Sequence, residues 1–177
     1  GIFDENGEFL STLNTFSLLC LHMLDTKKLK GPIIRSITQS NMIDHLAKSY
    51  NIEIFQTPVG FKFIGPLLAK HNALAGGEES GGYAFRGNIP ERDGIFSGLL
   101  FLEMMVMTGK SPSKLLKWLF SKVGEHHYDR IDIPLAGSQV PLLKEILVEK
   151  ASGKIGDLKV TKIDHSLENG SFIPFKN

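Results

Sequence analysis

"GPIIRSITQSNMIDHLAKSYNIEIFQT", residues 31–57, carries two periodicities in turn. Gly31-Pro32 breaks whatever precedes it, and the β-branched run up to Ser40 reads as a buried strand. Ser40 or Asn41 caps a helix whose Met42, Ile43, Leu46, Ala47 and Tyr50 share one face. "IEIFQT", 52–57, reads as a second strand, stopped by Pro58. Strand, helix, strand in that order argues for parallel neighbours joined by a crossover. The expected fold is therefore α/β: a layered domain with a mixed, largely parallel sheet flanked by helices.

Working outward, "GIFDENGEFL", residues 1–10, reads as two short strands about an Asn6-Gly7 turn. Leu13, Phe16, Cys20 and Leu24 then recur at helical spacing. "PVGFKFIGPLLAKHNAL", 58–74, reads as a short helix leading into a glycine-rich loop, "AGGEESGGYAFRGN", 75–88. Asp93 caps an apolar helix over 94–108, and Ser111-Pro112 opens another through Val123, stopped by Gly124, with Trp118 against the core. "GIFSGLLFLEMMVM" is broken by Glu103 and reads as a buried helix, not a membrane span. Beyond Gly124 come polar "EHHYDR", then "IDIPL", a helix over 139–150, "LKVTKID" and "GSFIPF", a strand–helix–strand–strand order. So short a stretch is small for an independent core. It reads as the opening of an incomplete α+β C-terminal domain. The start at Gly1, directly in a strand, points to a piece of something longer.

Of the 177 residues 42% are hydrophobic and 22% charged, an ordinary globular balance. The 20 basic and 19 acidic residues leave a net charge of +1, and no basic run calls for nucleic acid or an anionic membrane. Cys20 is the single cysteine, so no internal disulfide is available, which fits a cytoplasmic location. Its apolar setting makes it a core residue. No signal peptide is visible, and no apolar run approaches the roughly 20 residues that span a bilayer.

"GGEESGG", 76–82, has two readings from chemistry alone. It is either a solvated surface turn or a polyol-binding loop. For the second, a carboxylate can accept from two neighbouring hydroxyls, a serine both donates and accepts, and glycines admit a ligand closely. Lys62, Arg86 and Arg92 are three cations that could clamp an anion, although each alone reads as a solvated side chain. The pair His126-His127 is a poor metal site, because adjacent residues point apart and no partner stands at ligand spacing. There is no G-x-S-x-G elbow, and "GGEESGG" lacks the G-K-[ST] ending of a phosphate loop.

In order, "GIFDENGEFL", "TPVGFKFIG", "GGEESGG" and "NIPERDGI" resemble four segments of the α-D-phosphohexomutases, the phosphoglucomutases and phosphomannomutases. The resemblance implies that residues 1–10 are the tail of a metal-loop domain. It makes 11–126 the sugar-binding third domain and 127–177 the start of the fourth. It implies a parent enzyme that interconverts hexose 1-phosphate and hexose 6-phosphate through a phosphoserine and a hexose 1,6-bisphosphate intermediate, with Mg2+. Glu78 and Ser80 then contact the sugar's O3 and O4, and Gly77, Lys62 and Arg92 line the same cleft. Arg92 stands where the family often has lysine; it can stabilise charge but is a poor base. Asn88 replaces a frequent histidine. The phosphorylated serine loop, the Asp-x-Asp-x-Asp metal loop and the Arg-Pro-Ser-Gly-Thr phosphate loop are not in these residues. The chain alone is therefore expected to hold neither catalytic nucleophile nor metal ligands, and its partners are a hexose phosphate and the parent's remaining domains. The alternatives are a non-catalytic sugar- or protein-binding α/β module, or the phosphoglucosamine mutase branch, which Glu79 disfavours.

Overall fold

The computed structural model describes residues 1–128 throughout and, beyond them, 134, 136–137, 146, 153–155, 158–160 and 175–176. The chain divides into two units, Gly1–His126 and His127–Asn177. In the first, β1 (Ile2–Phe3) and β2 (Phe9–Leu10) form an antiparallel hairpin. Its turn is held by Asp4, whose Oδ1 accepts from the Asn6 and Glu8 amides at 2.8 and 2.9 Å. Helix α1 (Thr12–Leu21) follows, capped by Ser11, whose Oγ accepts from the Asn14 amide at 3.1 Å. The helical spacing that reached Leu24 ends in a wider π turn, His22–Thr26.

The crossover expected from residues 31–57 is present. Strand β3 (Ile33–Ser36), helix α2 (Met42–Tyr50) and strand β4 (Ile54–Thr57) place Ile33 opposite Ile54 and Ser36 opposite Thr57, in parallel. Asn41 occupies the cap position of α2, but it is Ser40 Oγ that accepts, from the Met42 amide at 3.2 Å. Helix α3 (Phe61–His71) then leads to β5 (Ala75–Gly77), and a tight loop to β6 (Tyr83–Phe85). The sheet order is β4-β3-β5-β6, parallel except for β6. Helices α4 (Gly94–Thr108) and α5 (Pro112–Val123) complete the unit.

Strand β3 is buried on both faces, which is why it reads as a continuous run rather than an alternation. Ile33 joins Phe16, Met42, Ile43 and Leu46 in one cluster, while Ile34 joins Phe61, Ile64 and Leu68 in another. Helices α1 and α2 thus lie on one side of the sheet and α3 on the other. Arg35 is buried and reaches Asp44 Oδ2 at 2.9 Å, tying β3 to α2. Cys20 is fully buried, and desolvation pushes its thiol above the ordinary range. Trp118 is half-buried against the larger cluster.

Two expectations need correction. Gly76 and Gly77 are not loop residues: they form most of β5, and side-chain packing explains them. A Cβ on Gly76 would lie 2.5 Å from Ile64 Cγ2, and one on Gly77 2.6 Å from the Phe16 ring. Helix α4 is not buried all round. Ser97, Leu100, Phe101 and Met104 face the core, but Ile95, Leu99, Leu102 and Val106 are 54–81% exposed. Glu103 interrupts the apolar surface for a reason: it accepts from Lys27 Nζ at 2.8 Å and lies 2.9 Å from buried His22 Nε2. Lys27 first, then His22, hold the Glu103 carboxyl below its usual range.

In the second unit β7 (Lys154–Ile155), β8 (Leu158–Val160) and β9 (Phe175–Lys176) form an antiparallel sheet. The expected strand "IDIPL" and helix 139–150 lie outside the described residues apart from Pro134 and Ile146. No helix among the described residues is long and apolar enough to cross a membrane.

Candidate functional site

In an open α/β sheet, ligands settle at the carboxyl ends of strands where successive connections leave toward opposite faces. Here the connection after β3 goes to α2 and that after β4 to α3, on opposite sides. Glu78 follows β5 at this same end. It is only 6% exposed, and its Oε1 accepts from the Gly60 amide at 3.0 Å. Gly60, at φ +126°, opens α3, so the carboxylate sits at a helix N-terminus, where negative charge is favoured. Its Oε2 faces the Arg92 guanidinium at 4.0 Å, too long for a hydrogen bond. A carboxylate has about four acceptor positions, so Glu78 retains capacity for a ligand's hydroxyls.

The loop that presents Glu78 closes on itself. The Glu78 amide donates to Gly82 O at 3.0 Å and the Gly81 amide to Glu78 O at 3.1 Å. Gly81, at φ +99°, makes the reversal. Arg92 lies across the loop, its Cδ 2.5 Å from where a Cβ on Gly82 would stand, and its guanidinium 5.4 Å from the Phe61 ring centroid. It also bonds Glu91 Oε1 at 2.9 Å through Nε.

Glu78, Arg92 and the Gly60–Lys62 segment are therefore gathered at one place. The Lys62 side chain is exposed and its ammonium rests 4.9 Å from the Phe63 ring. Gly77 lies just below Glu78, packed under Phe16. Ser80 is exposed and lines a cavity of about 270 Å3 with Gly1, Thr12, Gly81, Tyr83 and Ser97. Arg86 is elsewhere: it donates to the carbonyls of Lys30 and Asn72, residues preceding β3 and β5, at the other end of the sheet. Asn88 donates to Asp93 Oδ2 at 2.8 Å, while Asp93 Oδ1 caps α4 by accepting from the Phe96 amide. His126 lies edge-on to His45, 5.4 Å between centroids. Among the described residues no group of three His, Cys, Asp or Glu could hold a metal. These residues by themselves do not fit a Mg2+ site. The partners the sequence did not announce are the Gly60 amide, the Phe61 ring and Thr12, all distant from the loop along the chain.

A family profile described as phosphoglucomutase/phosphomannomutase, alpha/beta/alpha domain III, matches residues 14–123. The chain belongs to this family. Among relatives of this phosphohexomutase segment, the phosphoglucomutase/phosphomannomutase of Thermococcus kodakarensis is 28% identical over 162 residues, 90% of the chain and 34% of the relative. The phosphoglucomutase of Komagataeibacter xylinus is 32% identical over 121 residues, covering 66% of the chain and 22% of the relative. A Thermus thermophilus protein assigned as a phosphomannomutase superimposes with a TM-score of 0.76 at 30% identity, over 96% of this chain and 34% of that one. The chain thus spans about a third or less of the length of these proteins.

Proposed function

We propose that these residues are the sugar-recognition segment of a phosphohexomutase that interconverts hexose 1-phosphate and hexose 6-phosphate, as a phosphoglucomutase or phosphomannomutase. The supporting observation is the nearly buried Glu78 carboxylate, fixed at the strand ends by the Gly60 amide with acceptor capacity left over. In this reading Glu78 accepts hydrogen bonds from two vicinal sugar hydroxyls and Ser80 contributes a further contact. Turning the ring by half exchanges its C1 and C6 ends and nearly exchanges O3 with O4. One clamp therefore holds both orientations that a hexose 1,6-bisphosphate intermediate must adopt. The same clamp ignores C2, where glucose and mannose differ. Arg92 and Lys62 add positive charge beside the clamp; Arg92 stabilises charge and moves no proton.

The nucleophilic serine, the Mg2+ ligands and the loop for the non-reacting phosphate belong, in this proposal, to other parts of a longer polypeptide. Mg2+ held by those other parts would supply charge stabilisation at the transferring phosphate. In the full-length enzyme, Glu78→Ala should lower kcat/KM for glucose 1-phosphate by roughly 10²-fold or more, because two charge-assisted bonds of ~1.5–3 kcal/mol each are at stake. An unchanged kcat/KM removes Glu78 from the site. An upstream sequence without an Asp-x-Asp-x-Asp motif favours a binding module instead.

A further inference from the structure

Both ends of the Glu78–Gly82 loop converge on one residue outside it. Thr12 Oγ1 donates to the Glu79 carbonyl at 2.6 Å, and the Tyr83 hydroxyl donates to the Thr12 carbonyl at 2.6 Å. Glu79 is the second residue after β5 and Tyr83 the first of β6, so the two bonds bracket the loop. Between them Gly81 passes so close that a Cβ there would meet Thr12 Cγ2 at 2.9 Å. Hydroxyl, methyl and carbonyl of a single threonine are each engaged by the loop.

Helix α1 does not need the Thr12 hydroxyl. Ser11 already caps it through the Asn14 amide. The Tyr83 ring is itself immobilised, buried and stacked on Phe16 with centroids 5.1 Å apart. The anchor is therefore rigid on both sides: a capped helix below, a packed aromatic at the loop's exit. The segment it restrains is the one carrying exposed Ser80, which has no helix or strand of its own to orient it.

We infer that Thr12 is a positioning residue for sugar binding: its side chain fixes the Glu79–Gly81 backbone and so presents Ser80. The inference rests on the sugar-recognition reading above. Thr12→Val keeps the methyl and deletes the hydroxyl; Thr12→Ser does the reverse. In the full-length enzyme the valine variant should raise KM for the hexose phosphate about tenfold, near the upper end for one neutral hydrogen bond. Its kcat should stay within about twofold, since the loop grips both ground and transition states. Thr12→Ser should restore KM to within about threefold of wild type. Hydrogen exchange of the Gly81 and Gly82 amides should quicken in the valine variant and stay near wild type in the serine one. Unchanged KM in the valine variant, or a serine variant as impaired as valine, overturns the assignment. Should Glu78→Ala leave kinetics unchanged while exchange in the valine variant still quickens, the sugar reading fails and the anchor stands.

Discussion

Gly77→Ala adds one methyl group at a crowded point beneath the candidate site. The new Cβ would lie 2.6, 2.7 and 2.8 Å from Cε2, Cζ and Cδ2 of Phe16. Carbon atoms rest at about 3.5–4.0 Å, so the ring must retreat by roughly 1 Å. It has no free direction: Phe16 is fully buried, stacked on Tyr83 at 5.1 Å and near Phe85 at 6.5 Å. The strand cannot yield instead, because Gly77 is paired with Arg35 on one side and Tyr83 on the other. Overpacking typically costs about 1–3 kcal/mol, and confinement from both sides places this case at about 2–3 kcal/mol. At roughly 3–5 °C per kcal/mol for a unit of this size, Tm should fall by about 6–15 °C. Thermal unfolding of the 177-residue chain followed by circular dichroism measures it. A shorter ring-free side chain should relieve the clash, so Phe16→Leu should harm the Gly77→Ala variant less than the parent, with coupling of about 1 kcal/mol or more. A Tm within about 2 °C of wild type, or strictly additive effects, would refute the packing account.

Glu103 has its carboxyl held below the ordinary value of 4.5 by Lys27 and His22. A depressed carboxylate stabilises the fold above its unfolded pKa and loses that stabilisation as pH falls through the folded one. Tm should therefore drop as pH goes below 4.5, and Lys27→Met should flatten that drop; parallel profiles for both proteins would contradict it. Glu5 accepts from the Ser113 and Ser111 hydroxyls at 2.6 and 2.7 Å, which with its other hydrogen bonds brings its carboxyl down to about 2. Glu5→Ala should loosen the hairpin from the start of α5, read as faster hydrogen exchange of hairpin amides with the β3–β5 amides unaffected.

Local chemistry determined a good deal of this protein. The Gly-Pro break, the β-branched run and the cap before Met42 specify the crossover, because each acts within a few residues. Asp93 announces α4 by the same short-range logic, and the bond to the Phe96 amide realises it. The segment "GGEESGG" likewise offers a candidate polyol-binding loop by its residue types, beside the alternative of a solvated turn.

What tertiary structure decided is what lies far apart along the chain. Glycines of a strand and of a loop look alike in sequence; only Ile64, Leu68 and Phe16, packing from opposite faces, make Gly76 and Gly77 strand residues. Helix α4 is apolar nearly all round, so periodicity could not choose its inner face, and the layer built by α1 and the sheet chose it. Glu78 takes its hydrogen bond from Gly60, 18 residues away, and the loop's ends are held by Thr12, some 70 residues away. A side chain's type sets which bonds it can make. Which bonds it does make depends on the parallel sheet, whose strand ends bring these segments within hydrogen-bond reach.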